Sequence, residues 1–258
     1  KIPYLLTEHW GGYLEEAVPN INDHNFVYRH YWKKIIAGAM ESTFVSAYLQ
    51  QFMIKKYAIT NTHVIPNVVN TEIFYPVEKQ ADDKVHFIHV STMVYQKNPE
   101  AIFQALALLK DEFKFEMILY GPVTVMQEML IAELELQDCI LLKGEVPQEE
   151  LATSMQQCDA LILYSRFETF GCVLIEANAC GIPVIVSELE VFHEIVQQDV
   201  NGVFAEGENA GALAEKLRKF VQQKNKFNKY LIAANTAEKY NYKKVGKQFF
   251  ELYNTIEA

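Results

Sequence analysis

Long apolar runs are absent from this sequence. The longest, such as Ala160–Tyr164, stop far short of the ~20 residues that cross a bilayer. No stretch joins a basic, an apolar and a small-residue region, so no secretory leader is read and a cytoplasmic chain is expected. Cysteine is scarce: four (Cys139, Cys158, Cys172, Cys180) in 258 residues, with no Cys-x-x-Cys pair. That excludes a zinc ribbon or a disulfide scaffold and suits a reducing compartment. No HExxH or His-x3-His spacing occurs, so no metal site is expected, and His63, His86, His89 and His193 read as structural. Basic residues are the minority, 23 Lys and Arg against 33 Asp and Glu. The resulting net charge of −10 argues against nucleic acid as a partner. There is no internal repeat and no low-complexity tract.

What is present describes a globular protein with a substantial core: half the residues are hydrophobic and 22% are charged. The charge is uneven. Residues 1–76 carry six bases and six acids, so the whole of the −10 falls on the remainder, with 17 bases and 27 acids. The step coincides with Pro66-Asn67 to Tyr75-Pro76, whose prolines favour an extended connection between two units.

After residue 84, short apolar runs alternate with helical patterns. Val85–Ser91, Phe113–Tyr120, Cys139–Lys143, Ala160–Tyr164 and Pro183–Ser187 read as strands buried on both faces. Pro99–Lys110, Val123–Leu136, Gln148–Gln157 and Cys172–Cys180 read as amphipathic helices between them. Such alternation predicts βαβ units and an α/β, doubly wound parallel sheet. Residues 209–258 read as helical, with a break at Tyr240–Tyr242. The first part continues the pattern, with strands at Pro3–Thr7, Thr43–Ser46 and His63–Ile65 and helices at Phe26–Met40 and Ala47–Lys56. Two or three strands on a net-neutral surface make a poor domain, and the chain starts at Lys1, so a preceding portion is expected. Residues 1–76 show no basic amphipathic helix to support membrane docking.

In an open parallel sheet, ligands bind beyond the carboxyl ends of the strands. There, Ser165-Arg166-Phe167-Glu168-Thr169-Phe170-Gly171 runs straight into the apolar helix Cys172–Cys180. Unpaired amides at a helix start favour a phosphate, and Gly171 allows close backbone approach. Glu168 and Glu176 lie eight residues apart, about 12 Å along a helix. A nucleotide diphosphate over that helix start could offer a sugar to one acid and ribose hydroxyls to the other. Glu176 in a mostly apolar helix would be costly to bury unpaired, so it is expected at the surface or on a ligand. Cys172 and Cys180 read as small core residues, and Phe249, Phe250 and Tyr253 as a packing stripe.

These residues resemble a known pattern. "SRFETFGCVLIEANACGIPVIVSE", with seven residues between Glu168 and Glu176, resembles the signature of retaining glycosyltransferase family 4, enzymes of the GT-B fold built from two Rossmann-like domains. "VIPNVVNTEIFYP" resembles the interdomain segment of that family, "HVSTMVYQKN" its first donor-domain loop, and "LKGEVPQEEL" its base-binding loop.

The resemblance implies that residues 1–76 are the end of an acceptor-side domain with its linker. It further implies a donor-binding domain over 77–240 and a last helix, 241–258, that crosses back to the N-terminal part. Glu168 would contact the transferred sugar, the amides of Phe170 and Gly171 the sugar and diphosphate, and Glu176 the ribose. Lys97 would neutralise the diphosphate, and the backbone of Glu145, Val146 and Pro147 would read the base. His9, in "TEHWGGY", would match an acceptor-side histidine. Ser91 and Thr92 stand where the family carries Gly-Arg, which leaves Arg166 as a candidate replacement cation.

The implied partners are a nucleotide-sugar donor and a glycan or lipid-linked acceptor, without a separate cofactor. The expected activity is sugar transfer with retention, and peripheral membrane contact is compatible with it. Two other readings stay open. A glycoside hydrolase using Glu168 and Glu176 needs its carboxyls ~5–9.5 Å apart across one bond. A non-catalytic nucleotide-sugar-binding module or inactive transferase fragment would keep the pocket without the transfer.

Overall fold

The computed structural model describes residues 3–79, 82–207 and 209–257. Lys1, Ile2 and Ala258, which fall within the expected end segments, and Gln80, Ala81 and Glu208 lie outside the described residues.

The N-terminal part alternates β1 (Leu5–Glu8), α1 (Phe26–Gly38), β2 (Glu41–Phe44), α2 (Ala47–Tyr57) and β3 (Thr62–Val64). The three strands form a parallel sheet in the order β1-β2-β3. Side-chain caps fix where its helices begin: Asn25 accepts the Tyr28 amide at 2.9 Å and Ser46 the Leu49 amide at 3.1 Å.

The larger part follows as β4 (Val85–Val90), α3 (Pro99–Ala107), β5 (Phe115–Tyr120), α4 (Val125–Glu133), β6 (Ile140–Gly144), α5 (Gln148–Met155), β7 (Ala160–Leu163), α6 (Cys172–Ala179), β8 (Val184–Ser187) and β9 (Gly202–Ala205). Its six strands are parallel in the order β6-β5-β4-β7-β8-β9. The chain winds outward from β4 to β6, then returns to the other side of β4 and winds outward to β9. The switch point therefore lies between β4 and β7. Three helices close the chain: α7 (Ala210–Gln223), α8 (Lys229–Tyr240) and α9 (Tyr242–Glu257).

The fold is thus the expected doubly wound α/β sheet, with part of a second Rossmann-like unit and a helical C-terminal extension. Every residue of β7, β8 and β9 is buried, as apolar runs covered by helices on both faces require. One core cluster carries Leu163, Leu174 and Phe192 of the larger part together with Phe44 and Leu49 of the N-terminal part. A separate cluster joins Val245 and Leu252 of α9 to Ile65, just after β3, with Leu5 and Phe249 against it.

Three expectations are corrected. First, β9 was not read: Gly202-Val203-Phe204-Ala205 is four residues long, and it forms a strand because β8 offers it a free edge. Second, Phe249 packs but Phe250 and Tyr253 are exposed, so the aromatic stripe of α9 is only partly a core stripe. Third, α1 is strongly basic: it holds Arg29, His30, Lys33 and Lys34 and no acid, with Phe26, Val27, Tyr28, Tyr31 and Ile35 exposed beside them. The neutral sum over residues 1–76 hid that local excess. Among the described residues, no helix is long and apolar enough to cross a membrane.

Candidate active site

Two loops meet at the switch point. The first follows β4. Its single turn Tyr95–Lys97 ends at Asn98, which takes the left-handed conformation (φ 51°) before Pro99 opens α3. The second, residues 164–171, follows β7. Backbone and side-chain bonds stitch them together: the Arg166 amide donates to Gln96 O at 2.8 Å, and Gln96 Nε2 donates to Phe167 O at 3.0 Å. This stitching brings Lys97 Nζ onto Glu168 Oε1. Glu168 Oε1 also accepts Ser165 Oγ–H at 3.0 Å, and the Glu168 side chain is only 6% exposed. Sequence reasoning did not single out Ser165; it is itself anchored by its carbonyl, which accepts Ser187 Oγ–H at 2.7 Å.

Glu168 leads into the start of α6. Gly171 has φ 96° and ψ 68°, a left-handed conformation at the N-cap that only glycine adopts without strain. Having no side chain, it caps nothing, which leaves the first-turn amides of α6 without a side-chain acceptor. The positive end of the helix thus opens on a cavity of about 510 Å³. Thr92, Lys97, Glu145, Val146, Glu168 and Gly171, all expected at the site, line it, and so do Cys172 and Val173. Cys172 is therefore not the core residue expected, because the first position of α6 faces the opening; Cys180 is buried. Gly121 lets the loops after β4 and β5 close to contact, since a Cβ there would stand 1.8 Å from Ser91 O.

Below the first loop, His89 is fully buried, with Nδ1 2.8 Å from Ile162 O and Nε2 2.7 Å from Ser91 Oγ. Burial pushes its pKa down to about 4, so the ring is neutral at pH 7. The carbonyl fixes the proton on Nδ1, and the hydroxyl of Ser91 then donates to Nε2. Ser91 Oγ in turn accepts the Met93 amide at 3.0 Å, which sets the path of the loop toward Lys97.

The other expected residues lie around this cavity rather than in its wall. Glu176 is half-buried on α6, one turn beyond Cys172 and Val173 on the same face, and its carboxylate has no hydrogen-bond or ion-pair partner among the described residues. Burial pushes its pKa up to about 7. Phe170 is buried against Tyr240, leaving only its backbone for a ligand. Pro147 is the N-cap of α5. Arg166 points elsewhere: its guanidinium lies 4.1 Å over the Tyr95 ring and donates to Tyr95 O, so it braces the Lys97 turn from outside.

His9 reaches the site from the small sheet. Its carbonyl accepts Thr169 Oγ–H at 3.0 Å, one residue beyond Glu168, while its ring is exposed. Sequence reasoning missed the residue that holds it. Buried Glu8 accepts the amides of His9 and Trp10 at 3.0 and 2.9 Å and Tyr13 Oη–H at 2.7 Å. The available signal was an acid just after the expected strand Pro3–Thr7, three residues before Gly11-Gly12.

Solved structures of similar fold include the sucrose-phosphate synthase of Thermosynechococcus elongatus, with a TM-score of 0.83 at 22% identity over 98% of this chain and 67% of that one. Anabaena HepE, solved with UDP and glucose, gives a TM-score of 0.81 at 18% identity over 98% of this chain and 72% of that one. An uncharacterized glycosyltransferase of Methanocaldococcus jannaschii is 30% identical over 86% of this chain but 59% of its own length. The N,N'-diacetylbacillosaminyl-diphospho-undecaprenol alpha-1,3-N-acetylgalactosaminyltransferase of Campylobacter jejuni is 24% identical over 99% of this chain and 72% of its own length. This chain thus spans between about half and three quarters of the length of such relatives. The family model described as glycosyl transferases group 1 matches residues 70–239, which contain the whole cavity, and the chain belongs to that family.

Proposed function

We propose that this chain carries the donor site, and the acceptor-side edge, of a glycosyltransferase that moves a sugar from a nucleoside diphosphate to an acceptor hydroxyl with retention of configuration. The observation that carries this reading is the Lys97–Glu168 pair at the uncapped start of α6. The UDP and glucose bound to Anabaena HepE, a protein of the same fold, support it. So does the lipid-linked acceptor in the Campylobacter relative's name.

In this reading the donor diphosphate lies against the first-turn amides of α6, and Lys97 turns from Glu168 to a phosphate oxygen. Glu168 is then free to accept hydroxyls of the transferred sugar, and Glu176 accepts those of the ribose. The loop Glu145–Pro147 holds the base. The bond between the anomeric carbon and the diphosphate oxygen breaks as the acceptor oxygen bonds to that carbon on the same face. The acceptor proton passes to the leaving phosphate. A fixed cation and aligned amides meet the charge that develops there, so the protein contributes positioning and electrostatics and the reading needs no metal. His9 lies where an acceptor would approach. The acceptor is a glycan or a lipid-linked sugar, reached in the cytoplasm or at a membrane face.

The test is a thermal-shift panel of nucleoside diphosphates, followed by donor turnover. A bound diphosphate at 100 times its dissociation constant adds about 2.7 kcal/mol of stability. Glu168→Ala is expected to abolish turnover; equal turnover in the two proteins removes the assignment. Thr92, in the cavity wall where an arginine is expected, favours a second reading as a binding module. Tight nucleotide binding without turnover by the whole enzyme would select it.

A further inference from the structure

On the acceptor side, a cavity of about 420 Å³ lies between α1 and the end of α2. Four basic side chains line it: Arg29, His30 and Lys33 from one face of α1, and Lys56 from the last turn of α2. Among the described residues no acid is in its wall. In a chain with 33 acids for 23 bases, an exposed base ordinarily has carboxylates within reach. Yet Arg29 and Lys33 have no ion pair and no side-chain hydrogen bond among the described residues. Lys56 is held in place by donating to Tyr13 O at 2.7 Å, and partial burial lowers its pKa against the opposing pull of the nearby Glu15 carboxylate. Arg29 and Lys33, one turn apart on α1 without a counter-charge, repel one another, and an anion seated between them relieves that repulsion.

A second cavity of about 790 Å³ adjoins the first and shares Asn22 and Lys56 with it. Its wall changes character: beside Lys55, Glu15, Asn20 and Asp23 supply hydroxyl acceptors, with Phe52 as aromatic surface. Carboxylates and amides beside aromatic rings suit a saccharide, while guanidinium and ammonium groups suit a phosphate.

We propose that the α1–α2 cavity binds the phosphate or diphosphate of a saccharide phosphate whose sugar occupies the adjoining cavity. Naming that molecule as the acceptor rests on the transferase reading above; the anion site itself does not. The same phosphate chemistry is offered by a soluble sugar phosphate and by a lipid-linked one.

The test is calorimetric titration of inorganic pyrophosphate at low salt into four proteins: wild type, R29Q/K33Q, K97M, and K243A/K244A. The last removes two charges from α9 as a control for net charge. Because K97M weakens the donor site, it isolates the α1 site. The proposal expects K97M and K243A/K244A to keep the α1 binding event and R29Q/K33Q to lose at least tenfold in affinity for it. A companion arm compares sedimentation with phosphatidylcholine vesicles and with vesicles containing 20% phosphatidic acid. Selective pelleting that R29Q/K33Q abolishes supports the site with a lipid-borne phosphate. Pyrophosphate binding without selective pelleting supports it with a soluble one. Equal pyrophosphate affinity in wild type and R29Q/K33Q, or no binding event in K97M, overturns the proposal. UDP binding is measured alongside: its loss from wild type alone removes the donor reading and leaves the anion site standing.

Discussion

Glu194 holds the amide of Tyr48: its Oε1 accepts that N–H at 2.7 Å while Oε2 accepts the neighbouring Ala47 N–H at 2.8 Å. With Ser46 on the Leu49 amide, three of the free amides at the start of α2 are satisfied, two of them by a carboxylate from the other sheet's side of the chain. Negative charge at a helix start is favourable, so this contact fastens the two sheets together. Glu194→Ala is expected to cost about 1 kcal/mol, as a lost cap does. It should also enlarge the radius of gyration in small-angle scattering, because the cleft loses a tie. Unchanged stability and unchanged scattering together would remove the fastening role.

Lys97 and Glu168 are expected to be energetically coupled. Lys97→Met leaves a nearly buried carboxylate with only the Ser165 hydroxyl. Breaking a fully buried pair costs 3–5 kcal/mol, but Lys97 is one-fifth exposed, so about 1–3 kcal/mol is expected. Donor turnover should fall about a hundredfold or more, as when one preorganised charge is removed. A double-mutant cycle with Glu168→Gln should give a coupling of at least about 0.5 kcal/mol in unfolding experiments. Strict additivity would show that the contact contributes nothing.

These residues also show where the sequence could be read and where it could not. Gly171 before an apolar helix, and Glu168 and Glu176 around it, were legible because spacing alone sets their place on a helix. The strands were legible because β7 and β8 are unbroken apolar runs. Arg166 was not, since its direction depends on the Tyr95 ring, which reaches it only through the turn after β4. Glu8 was not, because the first strand ends one residue later than its pattern suggests, at Glu8 rather than Thr7. α4 likewise starts at Val125 rather than Val123, where Thr124 and Gln127 cap each other's amides.

Glu176 should make stability depend on pH. Its folded pKa, about 7, is raised by burial from 4.5. A raised carboxyl favours the folded state fully below pH 4.5, and that contribution is lost as pH rises to about 7. The difference amounts to up to about 3 kcal/mol. Glu176→Gln should therefore gain stability relative to wild type at pH 8 and not at pH 4. If ribose hydroxyls donate to the carboxylate, nucleotide binding should release protons near pH 6.5, read by calorimetry in buffers of different ionisation enthalpy. Parallel pH–stability curves for the two proteins would show that folding leaves the titration of Glu176 unchanged, against a raised pKa.

Gly121 tests the packing of the cavity floor. Alanine there meets Ser91 O at 1.8 Å and must hold φ 122°, so strain and steric overlap add. A loss of at least about 3 kcal/mol is expected in denaturant unfolding. A small loss would mean that the loops after β4 and β5 separate easily.

The cluster that joins α9 to Ile65 bears on how the protein is made on the ribosome. β3 and its neighbours emerge almost two hundred residues before Val245 and Leu252 exist to cover them. The small sheet therefore keeps that patch bare while the whole of the larger sheet is being made, and its assembly ends only when α9 has been synthesised. Nascent chains stalled ahead of α9 should be the most prone to proteolysis and to capture by chaperones.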